Sequence, residues 1–348
     1  MENIESLMQA HLDNLTKPRG SLGKLETYGL KMAKIQGKVP PKLEKKGIYV
    51  FAGDHGIAAE GVSLYPQEVT RQMVLNMLAG GAGINALGDG AGWDLTLVDA
   101  GVMGEDFPPD ETLKPVCPLI RTRLGQGSRN FYREAALTAD ETGRALEQGR
   151  TLARDAAARG YDLTAIGDLG IGNTSTAAAM LIAAGFNPEE MVDRGTGIDS
   201  EMLDHKRRII TEAVKNRNSP KTGEAILQNL GSFDFAMMAG FILGLEGRGI
   251  PCVLDGFPVT AAAYMAYLIN PSVADRLFAG HLSKVVGHKP VLDALGLDPI
   301  VNLDMRLGEG TGAVIGGFIV ELAVRAARNM ASFSQAHVSE SGTEEERY

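Results

Sequence analysis

The feature that most constrains this chain is a recurring unit, a short apolar run that ends in Gly or Asp and leads into a helix-like segment. Gly47-Ile48-Tyr49-Val50-Phe51 runs into Ala52-Gly53-Asp54-His55-Gly56, and Asp94-Leu95-Thr96-Leu97-Val98 into Asp99-Ala100-Gly101. Tyr161-Asp162-Leu163-Thr164-Ala165-Ile166 runs into Gly167-Asp168-Leu169-Gly170. Ile250-Pro251-Cys252-Val253-Leu254 runs into Asp255-Gly256, and Pro299-Ile300-Val301-Asn302-Leu303 into Asp304. Strands with so little polar alternation suit a sheet buried on both faces. Helical patterns, such as 135–159 and 202–217, lie between them. Alternating strand and helix predicts βαβ units, a parallel sheet and right-handed crossovers. The expected class is α/β, a Rossmann-like parallel sheet flanked by helices. Ligands in such folds bind beyond the carboxyl ends of the strands, where this chain concentrates Gly, Asp, Ser and Thr.

The two ends of the chain read differently. The first 35 residues hold a helix-like start, a Lys-Pro-Arg-Gly turn and Ser21 as the cap of a second helix. After Gly317 an amphipathic helix runs to about Met330, followed by a polar tail ending Glu344-Glu345-Glu346-Arg347-Tyr348, expected to be mobile. The expected organisation is a small helical subdomain built from both termini, 1–45 and 300–348, beside a large α/β domain, 46–299, carrying most of the active site.

Composition narrows the partners. A formal charge of −9 offers a phosphate backbone no favourable field, so nucleic acid is not expected. The two cysteines, Cys117 and Cys252, are far apart and not in metal-ligand spacing; no disulfide framework or zinc site is expected, and a reducing cytoplasm fits. The longest apolar stretches, 177–186 and 235–245, are about half the ~20 residues a membrane-spanning helix needs. The acidic start Met1-Glu2-Asn3-Ile4-Glu5 lacks the order of a signal peptide. Many of the 43 glycines follow apolar runs directly, which places them in turns rather than in a flexible linker.

Two of these turns carry the chemistry. Gly167-Asp168-Leu169-Gly170-Ile171-Gly172-Asn173-Thr174-Ser175-Thr176 is a strand end, a glycine turn and the start of an Ala-rich helix. Such a turn can cradle an anion with free N–H groups at the positive end of a helix dipole, or it can be a packed strand–helix turn capped by Thr174 or Ser175. Spacing leaves both open, and neither the Walker A loop nor the dinucleotide fingerprint is matched. Arg306-Leu307-Gly308-Glu309-Gly310-Thr311 holds a single carboxylate between glycines. Glu309 is either a catalytic carboxylate aimed into a cleft, its pKa raised by desolvation and opposed by a helix N-terminus and Arg306, or a first-turn Glu serving the dipole.

Other polar clusters read more plainly. His55 is expected to orient its neighbours through hydrogen bonds, ahead of a role as ligand or base. The loop Gly125-Gln126-Gly127-Ser128-Arg129-Asn130 is read as a turn or as a phosphate lining, and Lys206 and Arg207, after Gly195-Thr196-Gly197-Ile198-Asp199, as a solvated basic patch or a phosphate contact. Dispersed histidines argue against a metal centre.

As an ordered set, the motifs resemble a known family. Lys17-Pro18-Arg19-Gly20-Ser21-Leu22-Gly23-Lys24-Leu25-Glu26, Ala52-Gly53-Asp54-His55-Gly56, Glu60-Gly61-Val62-Ser63 and Tyr65-Pro66-Gln67-Glu68-Val69-Thr70 resemble its signatures, as do Gly170-Ile171-Gly172-Asn173-Thr174, Leu254-Asp255-Gly256-Phe257 and Arg306-Leu307-Gly308-Glu309-Gly310. The family is nicotinate-nucleotide–dimethylbenzimidazole phosphoribosyltransferase, of late cobalamin synthesis, and the likeness covers nearly the whole chain. It implies transfer of 5-phosphoribose from nicotinate mononucleotide to 5,6-dimethylbenzimidazole with inversion at the anomeric carbon. It also implies a homodimer with neither metal nor cofactor.

Residue by residue, the resemblance makes Glu309 the general base and Asp168, where some members carry Glu, a helper. Lys206 aligns with a phosphate-binding lysine, and Tyr65 and Gln72 fall in the base-pocket segment. Gly170, Gly172, Asn173, Thr174, Arg306, Leu307, Gly308 and Gly310 complete the expected substrate contacts. One departure stands in His281-Leu282-Ser283-Lys284-Val285-Val286-Gly287-His288, where the family usually has Glu in place of Val285. Two other readings share the fold class: a nucleotide-dependent oxidoreductase, which should show Gly-x-Gly-x-x-Gly where residues 52–56 stand, and a non-catalytic binder of a nucleotide or flat heterocycle.

Overall fold

A computed structural model describes residues 3–193 and 200–339, so the 195–199 run and the polar end of the tail lie outside the described residues. Seven strands are present among them: β1 Lys46–Gly53, β2 Asp94–Gly101, β3 Leu119–Arg121, β4 Leu163–Leu169, β5 Cys252–Leu254, β6 Leu277–His281 and β7 Pro299–Val301. They form one sheet in the order β3-β2-β1-β4-β5-β6-β7, and every neighbouring pair is parallel. The expected α/β class is therefore what the chain adopts. Every residue of β1 is buried, as a strand covered on both faces requires.

Strand order reverses at β1, which pairs with β2 on one side and β4 on the other. Ala52 of β1 stands opposite Leu169 of β4, so Gly53 and Gly170 leave the sheet side by side. A crevice at such a reversal is where this class of fold binds ligands.

Helices cover the sheet according to their apolar pattern. Phe233–Gly244 is apolar all round and buried from Phe233 to Leu243, as a helix in the middle of a core must be. Its Phe241 ring lies 5.0 Å from Tyr49 and 6.0 Å from Phe51, tying the helix to β1. The apolar stretches at 177–186 and 235–245 fall largely in Asn173–Ala184 and Phe233–Gly244, and no helix among the described residues is long and apolar enough to cross a membrane.

Several local expectations change. The helix expected from 135 starts at Ala139, because Thr138 and Glu141 form a reciprocal capping box. Strands β3 and β6 were not anticipated: β3 is three residues long, and β6 ends in His281 instead of Gly or Asp. Ser21 does not cap Lys24–Gln36. Gly23 does, with φ 54°, while the Glu26 side chain accepts from Leu22 N–H at 3.0 Å and pairs with the buried Lys17 ammonium at 2.9 Å.

The described residues group into two compact units, one spanning Lys45–Gly317 and the other drawn from before and after that span. In the latter, Ile4–Asp13 and Lys24–Gln36 pack through Met8, Leu12, Leu15 and Ala33 with Ala327, and an antiparallel bridge joins Leu15 to Ser332. Every cleft residue named below belongs to Lys45–Gly317.

Candidate active site

A cleft opens at the carboxyl ends of β4, β5 and β6. Asp168, Gly170, Gly172, Asn173, Thr174 and Lys206 line one part of it. Arg306, Leu307, Gly308 and Glu309 line another, with Tyr65 half exposed at the edge. Eleven expected site residues are thus brought together. Two stand apart: Gly310 lies behind the cleft, and Gln72 is on the exposed face of Glu68–Leu78.

The turn after β4 is shaped by close approach. A side chain at Gly170 would run into Gly53 O and the His55 ring, and Gly172, at φ 95°, caps Asn173–Ala184 with backbone alone. The cap expected from Thr174 or Ser175 is therefore absent: the glycine takes the left-handed conformation and the helix starts directly after it. Ile171 N–H donates to Thr70 Oγ1 at 3.0 Å, Asn173 N–H to Gly170 O at 3.2 Å and Thr174 N–H to Asn173 Oδ1 at 2.7 Å. Ser175 and Thr176 N–H both reach Gly172 O. Five N–H groups of this helix start are engaged within the chain.

Positive charge comes instead from Lys206 on Ser200–Arg217, which is 3% exposed and so not part of a solvated patch. Its Nζ donates to Thr174 Oγ1 at 3.1 Å and Asp193 O at 3.4 Å. Burial lowers its pKa to about 8, and the charge of Asp193 opposes this. A buried ammonium held by a hydroxyl and a carbonyl oxygen is suited to pair with an incoming oxyanion.

The carboxylates differ in their surroundings. Asp168 Oδ2 accepts from Asn173 Nδ2 at 2.6 Å, while buried Oδ1 meets no donor. Burial and then the charge of Asp255 raise its pKa to about 8; Asn173 opposes and Asp234 adds. At neutral pH Asp168 therefore holds a proton.

Glu309 is 5% exposed and has φ 62°, between Gly308 at 84° and Gly310 at 89°. A left-handed glutamate is a strained conformation of the kind found at functional sites. It is not a first-turn residue of Thr311–Asn329. Its Oε2 accepts from Ile84 N–H at 3.2 Å, at the start of Gly83–Gly90, and its own N–H reaches Asp168 O at 3.3 Å. Burial raises its pKa, the N–H groups of Ile84 and Gly83 oppose, and the charge of Asp255 adds to the rise. The helix N-terminus that opposes desolvation belongs to a distant segment, rather than to the helix that follows.

Residues not named among the expected contacts also line the cleft: Thr70, Phe257, Pro258, His281, Ser283 and Val285. Most stand at a strand end or the first turn beyond, the signal that could have found them. Val285 is buried, where a family Glu would put a charge against the cleft. His55 is fully buried, with Nδ1 3.0 Å from Thr176 Oγ1 and its ring edge-on to Phe235, which fits the orienting role. The Gly125–Asn130 loop is a turn held by Ser128 N–H on Asp54 O and by Arg129 on Glu141. No group of three or more His, Cys, Asp or Glu among the described residues could hold a metal ion.

The cleft thus gathers a buried glutamate, a buried ammonium and a carboxyl that holds its proton at neutral pH, beyond the carboxyl ends of a parallel sheet. A family model described as phosphoribosyltransferase matches residues 1–338, which sets the class. A nicotinate-nucleotide–dimethylbenzimidazole phosphoribosyltransferase of Geobacter sp. (strain M21) is 44% identical over 340 residues, 97% of this chain and 95% of its own length. Its namesake in Prosthecochloris aestuarii is 46% identical, with 95% and 93% covered. The crystal structure of CobT from Thermus thermophilus matches with a TM-score of 0.91 at 43% identity, covering 97% of this chain and 99% of that one. The chain belongs to the nicotinate-nucleotide–dimethylbenzimidazole phosphoribosyltransferase family. It is an enzyme of phosphoribosyl transfer, and the oxidoreductase and non-catalytic readings fall away.

Proposed function

We propose that this chain transfers the 5-phosphoribosyl group of nicotinate mononucleotide to 5,6-dimethylbenzimidazole, giving nicotinate and α-ribazole 5′-phosphate for the nucleotide loop of cobalamin. The leaving nicotinate departs from a pyridinium and keeps the electron pair of the broken C1′–N bond, so no general acid is needed. One benzimidazole nitrogen attacks C1′ from the opposite face, which inverts the anomeric carbon. The other nitrogen must lose its proton, and a single well-placed carboxylate suffices to take it.

Glu309 is that carboxylate. The observation that carries the reading is its burial at the rim of β4, in the same cleft as the Lys206 ammonium. Lys206 takes the 5′-phosphate, and Tyr65 and Leu307 border the flat base. Asp168 offers a hydrogen-bond donor instead of a second base, because it is protonated at neutral pH. Holding sugar, phosphate and base in line supplies much of the acceleration. The working form is a cytoplasmic homodimer that uses neither metal nor cofactor.

Incubation with nicotinate mononucleotide and 5,6-dimethylbenzimidazole tests this. Nicotinate should appear only when both are present, and NMR of the ribosylated product should show the α-anomer. Release of nicotinate that does not depend on the benzimidazole would mean hydrolysis, and a β-product would rule out direct displacement.

A further inference from the structure

Asp255 lies just beyond β5, 1% exposed, and its carboxylate holds the far side of the turn that carries Glu309. Its Oδ2 accepts from Gly310 N–H at 2.9 Å, and its Oδ1 from Gly312 N–H at 2.8 Å and Ala313 N–H at 3.3 Å. An acceptor-only carboxylate is what three converging N–H groups call for. These are the donors left open at the start of Thr311–Asn329, so Asp255 caps that helix from another strand and fixes Gly310 beside the left-handed Glu309. Tension from the strained φ is thus met on both sides: Glu309 N–H on Asp168 O, and Gly310 N–H on Asp255.

We propose that Asp255 is a positioning residue for the Glu309 base, holding the 308–310 turn in its left-handed form and setting a fixed negative charge beside the reacting carboxylate. This rests on Glu309 being the base. The other groups on Glu309 are the N–H groups of Gly83 and Ile84 and the backbone carbonyl of Asp168 on β4, while Arg306 on its own loop is exposed. His281 of β6 lies 3.5 Å from Asp255 Oδ1, and burial holds its pKa below the ordinary imidazole range. Lys206 lines the same cleft. Among these, Asp255 is the neighbouring charge that raises the proton affinity of Glu309. A base with raised proton affinity takes the benzimidazole proton more readily.

Asp255→Asn removes the charge and turns one acceptor into a donor facing N–H groups. Its kcat should fall about 10–10²-fold, with KM for nicotinate mononucleotide within about two-fold of wild type. Without the neighbouring charge Glu309 ionises at lower pH, so the acidic limb of the kcat profile should move down by about one unit. Added to Glu309→Gln, the substitution should cost nothing further, because a residue acting through Glu309 has nothing left to position. An unmoved acidic limb, or a full second loss on the Glu309→Gln background, would overturn the proposal. Should Asp255→Asn fail to fold, the wild-type kcat/KM profile decides: an acidic limb at or below about 4.3, the ordinary Glu value, overturns it. Substantial turnover by Glu309→Gln alone would instead remove the base assignment itself, which keeps the two failures distinct.

Discussion

Glu309 Oε2 meets the backbone N–H of Ile84 at 3.2 Å, across 225 residues of chain. That bond joins the turn before Thr311–Asn329 to the first residues of Gly83–Gly90. It has two effects on the proposed base. The N–H holds one carboxylate oxygen in place, and the helix end opposes the rise in pKa that burial causes. Burial raises the pKa of Glu309, and the N–H groups of Ile84 and Gly83 work against that rise.

Glu309→Gln should retain ligand binding and lose turnover. The amide keeps the shape and cannot accept the benzimidazole proton, so kcat should drop about 10²–10⁴-fold. Calorimetry should find the affinity for nicotinate mononucleotide little changed. Retention of more than about a tenth of wild-type kcat would end Glu309's candidacy.

Asp168→Asn should leave a signature in stability against pH. The folded carboxyl titrates at about 8, while an unfolded Asp titrates at about 3.9. Between these values the folded chain holds a proton that the unfolded chain has lost. The contribution of Asp168 is therefore full below about pH 4, declines as pH rises and is gone above about pH 8. Asparagine keeps the neutral shape without that titration. The Tm of the variant relative to wild type should climb from about pH 5 to about pH 8 and then level off; a difference flat across that range would mean that Asp168 is ionised in the fold throughout.

Much of this was legible in the sequence because apolar runs ending in Gly or Asp mark buried strands and their carboxyl ends, and these ends hold Asp168, the glycine turn and Glu309. Short edge strands gave no such signal: β3 has three residues, and β6 closes on His281. Asp255 was visible as part of a motif, yet its task was not, because it depends on N–H groups more than 50 residues away. Lys206 shows the same limit. On a helix with the sequence His205-Lys206-Arg207-Arg208 it reads as surface charge, and only packing makes it a buried ammonium.

Lys206→Ala should act on the phosphate and spare the heterocycle. Loss of one charge-assisted contact should weaken nicotinate mononucleotide by about 1.5–3 kcal/mol, with benzimidazole affinity nearly constant. The amine titrates at about 8, so wild-type affinity for the nucleotide should also decline as pH passes that value. Calorimetry at several pH values checks both, and equal weakening of the two ligands would mark Lys206 as structural.

Gly172→Ala separates a packing turn from a backbone cradle for phosphate. At φ 95° an L residue is strained by about 1–2 kcal/mol, and its Cβ would lie 3.2 Å from His55 Cβ, tighter than ordinary contact. The urea midpoint should therefore fall. Binding is the sharper test, because five N–H groups at this helix start already have acceptors within the chain. With Lys206 as the charge for the phosphate, the residual folded variant should lose affinity for nicotinate mononucleotide and for the phosphate-free riboside to the same degree. The riboside shares ring and sugar and lacks only the anion, which makes it the needed control. A nucleotide loss far larger than the riboside loss, at nearly unchanged stability, would mean that the backbone of this turn grips the phosphate directly.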